Sequence, residues 1–136
     1  MPLSSEALIH RRILLVEDEY LIATEMERWL RHAGAEVVGP VPSVEQALDL
    51  IEEEGCALDA AVLDVNLGDG ETVYPAADQL NALGVPYLFA TGDVGVSADP
   101  AYRDQPRLEK PILDRELLRA VEMLIATSRH KDPRAP

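Results

Sequence analysis

The chain has 136 residues, nearly half of them apolar, with a formal charge of −13. That length suits one domain with its own core, and the apolar fraction excludes disorder by composition. The charge argues against nucleic acid, whose binding rests on neutralising phosphates with Lys and Arg.

Residues 1–11 read as a loose lead-in with Pro2 and Ser4-Ser5. Ile13 to Val16 predicts the first strand. A helix is predicted from about Tyr20 to Ala33, because Ile22, Met26, Trp29, Leu30 and Ala33 fall on one stripe and Gly34 supplies a stop. Glu36-Val37-Val38 predicts a second strand, closed by Gly39-Pro40. Ser43 is a suitable N-cap and Gln46 completes a capping box. Val44, Ala47, Leu48 and Ile51 form the buried face of the helix that follows, and Gly55 ends it. Leu58 to Leu63 is the third strand, and Gly68-Asp69-Gly70 is a flexible turn. The third helix runs from about Thr72 to Leu83, with Pro75 tolerated in its first turn. Gly84 stops it, and Val85 to Ala90 is the fourth strand.

From Gly92 to Pro106 the pattern fails. Glycines, prolines and the lack of an amphipathic stripe predict a loop, or one helical turn from Asp99 to Arg103 with Asp99 as cap. Arg107-Leu108-Glu109 is a short fifth strand. Asp114 caps a last helix whose apolar face is Leu117, Leu118, Val121, Leu124 and Ile125. Residues 127–136 are a polar tail that frays. Strands alternating with helices predict a parallel sheet covered on both faces, in one domain over residues 12–126.

No apolar run approaches the roughly 20 residues that span a bilayer. Ile13 to Val16 is too short for a signal-peptide core and ends in acid, so the chain reads as cytoplasmic. The single Cys56 excludes an internal disulfide, and no Cys/His cluster has zinc spacing. His10, His32 and His130 are dispersed and read as surface residues.

The stretch Ala60-Ala61-Val62-Leu63-Asp64 runs through small and branched apolar residues to a carboxylate, as a strand buried on both faces reads. In open α/β sheets, ligands bind beyond the carboxyl ends of the strands. Glu17-Asp18-Glu19 follow the first strand, Thr91 the fourth and Lys110-Pro111 the fifth, so all converge with Asp64 on one rim. Crowded carboxylates repel unless a cation joins them, and hard oxygen ligands suit Mg²⁺. The backbone carbonyl of Asn66 is a further candidate ligand.

This set suits phosphoryl transfer. Asp64 is the nucleophile, forming an acyl phosphate. Mg²⁺ and Lys110 neutralise the phosphoryl oxygens, and Thr91 bonds to the transferred group. No protein general base is needed, because a carboxylate is ionised at neutral pH. Each feature alone is commonplace: acidic pairs are often solvated loops, and a strand-end Thr is usually structural. Their order and spacing together carry the reading.

Val16-Glu17-Asp18-Glu19, Leu63-Asp64-Val65-Asn66-Leu67, Ala90-Thr91-Gly92 and Lys110-Pro111-Ile112 resemble the four blocks of a response-regulator receiver domain. The resemblance spans residues 12–126. It implies a (βα)5, flavodoxin-like fold in which the fourth helix region is short or irregular, and phosphotransfer from a histidine kinase to Asp64. It also implies Asp18 as a direct metal ligand, Glu17 as a ligand through water, Lys110 as the invariant lysine and Thr91 as the switch hydroxyl. Asn66 and Asp93, two residues past Asp64 and Thr91, match positions that tune phosphoryl lifetime. Pro86-Tyr87-Leu88-Phe89-Ala90-Thr91-Gly92 is similar to the signature of the FATGUY receivers, mostly stand-alone proteins often paired with HWE-type kinases. A histidine phosphotransferase or a downstream protein is then a further partner.

Two departures stand out. Gly68 replaces the Pro common four residues after the phosphoacceptor, which predicts a more mobile loop. Arg107 replaces the aromatic switch residue. Ordering of Gly92 to Pro106 on phosphorylation and a merely mobile surface loop remain equal readings. Two other functions stay open: a haloacid-dehalogenase-type phosphohydrolase, against which Asn66 stands where that class has a second acid, and a receiver-like module that is never phosphorylated.

Overall fold

The computed structural model describes residues 8–68, 70–92, 102 and 105–131. Five strands form one parallel sheet, as the alternation predicts, and their order is β2-β1-β3-β4-β5. They are β1 (Arg12–Val16), β2 (Glu36–Val41), β3 (Ala60–Asp64), β4 (Tyr87–Thr91) and β5 (Arg107–Glu109). The helices are α1 (Tyr20–His32), α2 (Val44–Glu54), α3 (Tyr74–Leu83) and α4 (Asp114–Lys131).

Side chains alternate across the sheet into two layers. Leu14, Val16, Ala61, Leu63 and Phe89 pack under α2 and α3, against Ala47, Ile51, Ala77 and Leu80. Ile13, Leu15, Val62, Leu88 and Ala90 pack under α1 and α4, against Met26, Leu30, Leu117 and Val121. β1, β3 and β4 read as unbroken apolar runs because both their faces are covered. Among the described residues, no helix is long and apolar enough to cross a membrane.

Several punctuation marks in the sequence act differently from expectation. Gly39-Pro40 does not close β2 but lies inside it, where the pairing of β1 with β2 shifts between Leu14 and Val16. β2 is an edge strand, where Pro costs no ladder bond. Gly39 has φ +96°, and a Cβ there would stand 2.9 Å from the Leu15 carbonyl oxygen. Gly39→Ala is therefore expected to cost about 1–3 kcal/mol in urea unfolding. An unchanged midpoint would mean that the strand edge gives way freely.

Gly55 is right-handed and leads into a short turn over Gly55–Ala57. Its lack of a side chain serves packing, because a Cβ would meet Leu83 Cδ1 at 2.5 Å. Asp114 is the first residue of α4 and not its cap. Glu116 Oε1 accepts the Leu113 N–H instead, at 2.8 Å, which is half of a capping box. α4 continues to Lys131, past the expected end at residue 126. The lead-in is ordered from Leu8 onward: Leu8 is buried, and its N–H donates to the Ala33 carbonyl at 2.8 Å.

Other marks act as read. Ser43 caps α2, its Oγ accepting the Gln46 N–H at 3.2 Å, although Gln46 Oε1 takes the Ser43 hydroxyl at 3.0 Å where a full capping box would use the Ser43 N–H. Gly34 follows the end of α1 with φ +98°, and Gly84 ends α3 in the left-handed region.

Candidate functional site

Strand order reverses between β1 and β3, so the crevice at their carboxyl ends is where this architecture binds ligands. Asp64 is the last residue of β3, and Glu17, Asp18 and Glu19 follow β1 directly. Asp64 pairs with Ala90 across the ladder, which places Thr91 one residue further along the rim. The Thr91 carbonyl accepts the Lys110 N–H at 2.8 Å and so fixes the lysine backbone beside the site. Among the described residues, the buried polar or charged side chains are Glu17, Asp64 and Thr91. Burying three such groups in one place is costly unless their partners are also there.

Lys110 is the partner. Its Nζ lies 2.9 Å from Glu17 Oε1, 3.3 Å from Glu19 Oε1 and 3.5 Å from Asp64 Oδ2. Lys110 and Asp64 come together as the sequence predicts, but the nearest acid to the ammonium is Glu17. Burial alone would lower the Lys110 pKa. The Glu17 hydrogen bond and charge, joined by Asp64 and Glu19, more than offset that and hold it above its ordinary value.

Asp64 shows the opposite balance. Burial first, then the negative charge of Glu17 and a hydrogen bond with Asp18, push its pKa up to about 8, against the partial relief from Lys110. Without a divalent cation, these neighbours disfavour the ionised form of Asp64. The expectation of a carboxylate already ionised took no account of this burial.

The donor set fits a hard divalent cation. One carboxylate oxygen from each of Glu17, Asp18 and Glu19 lies within 4.8 Å of the others. Among the described residues, the buried Glu17 Oε2 has no hydrogen-bond partner. A buried unpaired carboxylate oxygen beside other acids is what a cation or its bound water would satisfy.

The loop after Asp64 is a closed turn. Leu67 N–H donates to the Glu71 carbonyl at 2.9 Å, Glu71 N–H to Gly68 at 2.9 Å, and Val73 N–H to Val65 at 3.0 Å. Asn66 is exposed on this turn and bridges Thr72. Gly68 has φ +85°, a conformation that Pro cannot adopt. The Glu71 carboxylate caps α2 through the Val44 N–H at 3.0 Å. These bonds close the turn that carries Gly68 and Gly70.

Asp93 and most of Gly92 to Pro106 lie outside the described residues, so their expected roles stay expectations. Tyr102 is described. It stacks on Tyr74 with ring centroids 4.3 Å apart, and its hydroxyl donates to Asp78. Neither this contact nor the role of Glu19 follows from the sequence reading. Glu19 was visible as a third acid in the run, but its partner lies 91 residues away.

No protein-family profile matches the chain. SdrG from Pseudomonas melonis Fr1, solved in solution in a BeF3-activated conformation, is 42% identical. That comparison covers 84% of this chain and 95% of SdrG, with a TM-score of 0.70. The response regulator receiver protein from Sinorhizobium medicae WSM419 is 24% identical over 88% of this chain and 97% of its own, with a TM-score of 0.75. Among curated proteins, the transcriptional regulatory protein PdtaR of Mycobacterium tuberculosis is 26% identical over 128 residues. The match takes in 92% of this chain but 62% of PdtaR, so the chain spans about three fifths of that relative's length. With the parallel sheet, the buried aspartate at its switch point and a near-complete match at 42% identity, the chain belongs to the response-regulator receiver domains.

Proposed function

We propose that the chain accepts a phosphoryl group on Asp64 from a phosphohistidine of a histidine kinase, with the HWE type as the candidate class. The observation that carries this reading is the buried Asp64 carboxylate, within reach of one ammonium and beside three further acids. A carboxylate oxygen of Asp64 attacks phosphorus, the N–P bond breaks, and the imidazole leaves with a proton from solvent. Water later attacks the same phosphorus, releasing orthophosphate and restoring the carboxylate. Lys110 turns from its acids to the phosphoryl oxygens, and the Thr91 hydroxyl donates to them.

Asp18, Asp64 and the Asn66 carbonyl would hold Mg²⁺, with Glu17 acting through water. The bound cation supplies charge neutralisation for the phosphoryl group and favours the ionised form of Asp64. Asn66 and Asp93 tune the lifetime of the acyl phosphate. The protein catalyses only its own phosphorylation and dephosphorylation, in the cytoplasm, and passes the signal to a histidine phosphotransferase or a downstream protein. The Pro86 to Gly92 run supports placing it with the FATGUY receivers. The BeF3-activated form of SdrG supports the phosphoacceptor reading by chemistry, because beryllofluoride has the shape and charge of a phosphoryl group.

The test is incubation with acetyl phosphate and Mg²⁺, followed by intact mass. One added phosphoryl group, absent when EDTA is present, is the expected result. Steady turnover of a generic phosphate ester would instead support the phosphohydrolase reading. No gain from either acetyl phosphate or a phosphorylated histidine kinase would leave the unphosphorylated module.

A further inference from the structure

Two loops meet at the rim. One is the acid run Glu17-Asp18-Glu19 after β1, and the other is the turn over residues 65–73 after β3. They approach each other at Gly68, where an added Cβ would stand 3.4 Å from Asp18 Oδ2. Both are fastened to one place, the corner between β2 and α2. The Glu17 N–H donates to the Val41 carbonyl at 3.0 Å, and the Val44 N–H donates to Glu71 Oε1 at 3.0 Å. Val41 is the last residue of β2, and Val44 is the first of α2.

The N–H groups in the first turn of a helix lack intrahelical partners, and a side chain beside them in sequence usually supplies one. Ser43 does so for Gln46, but the Val44 N–H is met by a residue 27 positions away. The helix dipole favours a carboxylate there. For α2 this bond is one more cap. For the turn it is an anchor. The backbone bonds of Leu67, Glu71 and Val73 close the turn on itself and so set its shape. The Glu71 side chain sets where that shape lies relative to the acids. Gly68 and Gly70 both have positive φ. Glycine populates many other conformations as readily, so a turn built on two of them gains from an outside tie.

We infer that Glu71 is a positioning residue for the divalent cation. By holding the turn to the β2–α2 corner, its carboxylate keeps the Asn66 carbonyl at a fixed distance from Asp18 and sets how tightly the cation binds. The inference rests on the reading of Asp64 as a phosphoacceptor whose site takes Mg²⁺. It adds a residue that touches neither the cation nor the phosphoryl group. A ligand on a turn that must first be ordered loses part of its binding free energy to that ordering, and a turn already held does not.

The test is calorimetric titration of Mg²⁺ into the full native chain and into Glu71→Ala, Glu71→Gln and Ser43→Ala. Glu71→Ala is expected to weaken the Mg²⁺ Kd about tenfold, the worth of one charge-assisted hydrogen bond. The amide oxygen of Glu71→Gln can still accept the Val44 N–H, so that variant should stay within about threefold of native. Ser43→Ala removes a cap from the same helix end without touching the turn, and should leave the Kd unchanged. Hydrogen exchange without Mg²⁺ reads the turn directly. The Leu67 and Glu71 amides should exchange about tenfold faster in Glu71→Ala and at the native rate in Ser43→Ala. Phosphoryl uptake from acetyl phosphate should slow in Glu71→Ala at low Mg²⁺ and recover at saturating Mg²⁺. An unchanged Kd in Glu71→Ala would overturn the inference alone. So would an equal loss in Ser43→Ala, because a general weakening of α2 would then be sufficient cause. A native chain that neither binds Mg²⁺ nor takes up a phosphoryl group would instead bring down the phosphoacceptor reading, and this inference with it.

Discussion

Asp64→Asn is expected to give a protein that takes up no phosphoryl group and that, free of divalent cations near pH 8, is more stable than the native chain by about 2–4 kcal/mol. The first effect follows from removing the nucleophilic oxygen. The second follows from the pKa of about 8 that burial and Glu17 impose on Asp64. Near pH 4 the folded carboxyl is protonated and the unfolded one, with an ordinary pKa of about 3.9, is still about half protonated, so its replacement gains little. As pH rises, the unfolded chain releases the proton while the folded chain keeps it, and native stability falls. Above about pH 8 the folded group must ionise as well, and the cost is complete. Asn carries no charge and escapes that cost. Saturating Mg²⁺ is expected to reverse the order, since a cation that binds only the folded state stabilises it by mass action, and an amide is the poorer ligand. Urea unfolding at both pH values, with and without Mg²⁺, measures all of this. Equal midpoints for native and variant near pH 8 without cation would mean that Asp64 titrates as an ordinary exposed carboxylate.

Lys110→Met should move the cation-free assay the other way. Lys110 is the ammonium that Glu17, Glu19 and Asp64 share, and its side chain is largely buried. Taking away one partner of a buried ion pair leaves an uncompensated charge, at a cost of about 3–5 kcal/mol. Part of that loss should return on adding Mg²⁺, because a divalent cation neutralises the same acids. Phosphorylation by acetyl phosphate should slow by about 10²–10³-fold, as for other lost stabilisers of transition-state charge. The two readouts are separable. A variant that regains stability with Mg²⁺ yet still phosphorylates slowly has lost charge stabilisation, not its fold. A native rate would remove Lys110 from the chemistry.

The layers of the fold were legible because their causes are local. β1, β3 and β4 are apolar runs, and α1 and α2 show their buried stripes at helical spacing. The mistakes share one origin, which is that a residue type can answer to a distant neighbour. Gly39 looks like a breaker, yet it is there because the Leu15 carbonyl leaves no room for a Cβ. Gly55 looks like a helix stop, but it answers to Leu83 on α3. Leu8 lies in the short apolar run Ala7-Leu8-Ile9, too brief to read as an element, and only the corner between α1 and β2 explains its burial. At the site, Asp64, Glu17 and Lys110 were legible because each follows a strand, and parallel strands end together. The raised pKa of Asp64 was not, because it depends on how deeply its neighbours bury it. Glu19 was legible as an acid on the rim, but its bond to Lys110 was not, because it exists only once β5 brings the lysine across.

Apart from the exposed Tyr20, the aromatic side chains divide between the two layers. Tyr74, Tyr87, Phe89 and Tyr102 contact one another on the α2/α3 side of the sheet. The single Trp29 packs on the α1/α4 side. The molecule thus carries two native optical reporters with a sheet between them. Indole fluorescence follows one layer, and the near-ultraviolet circular dichroism of the packed tyrosines follows mainly the other. Comparing the two signals in one titration tells whether the layers come apart together or in turn, with no label attached.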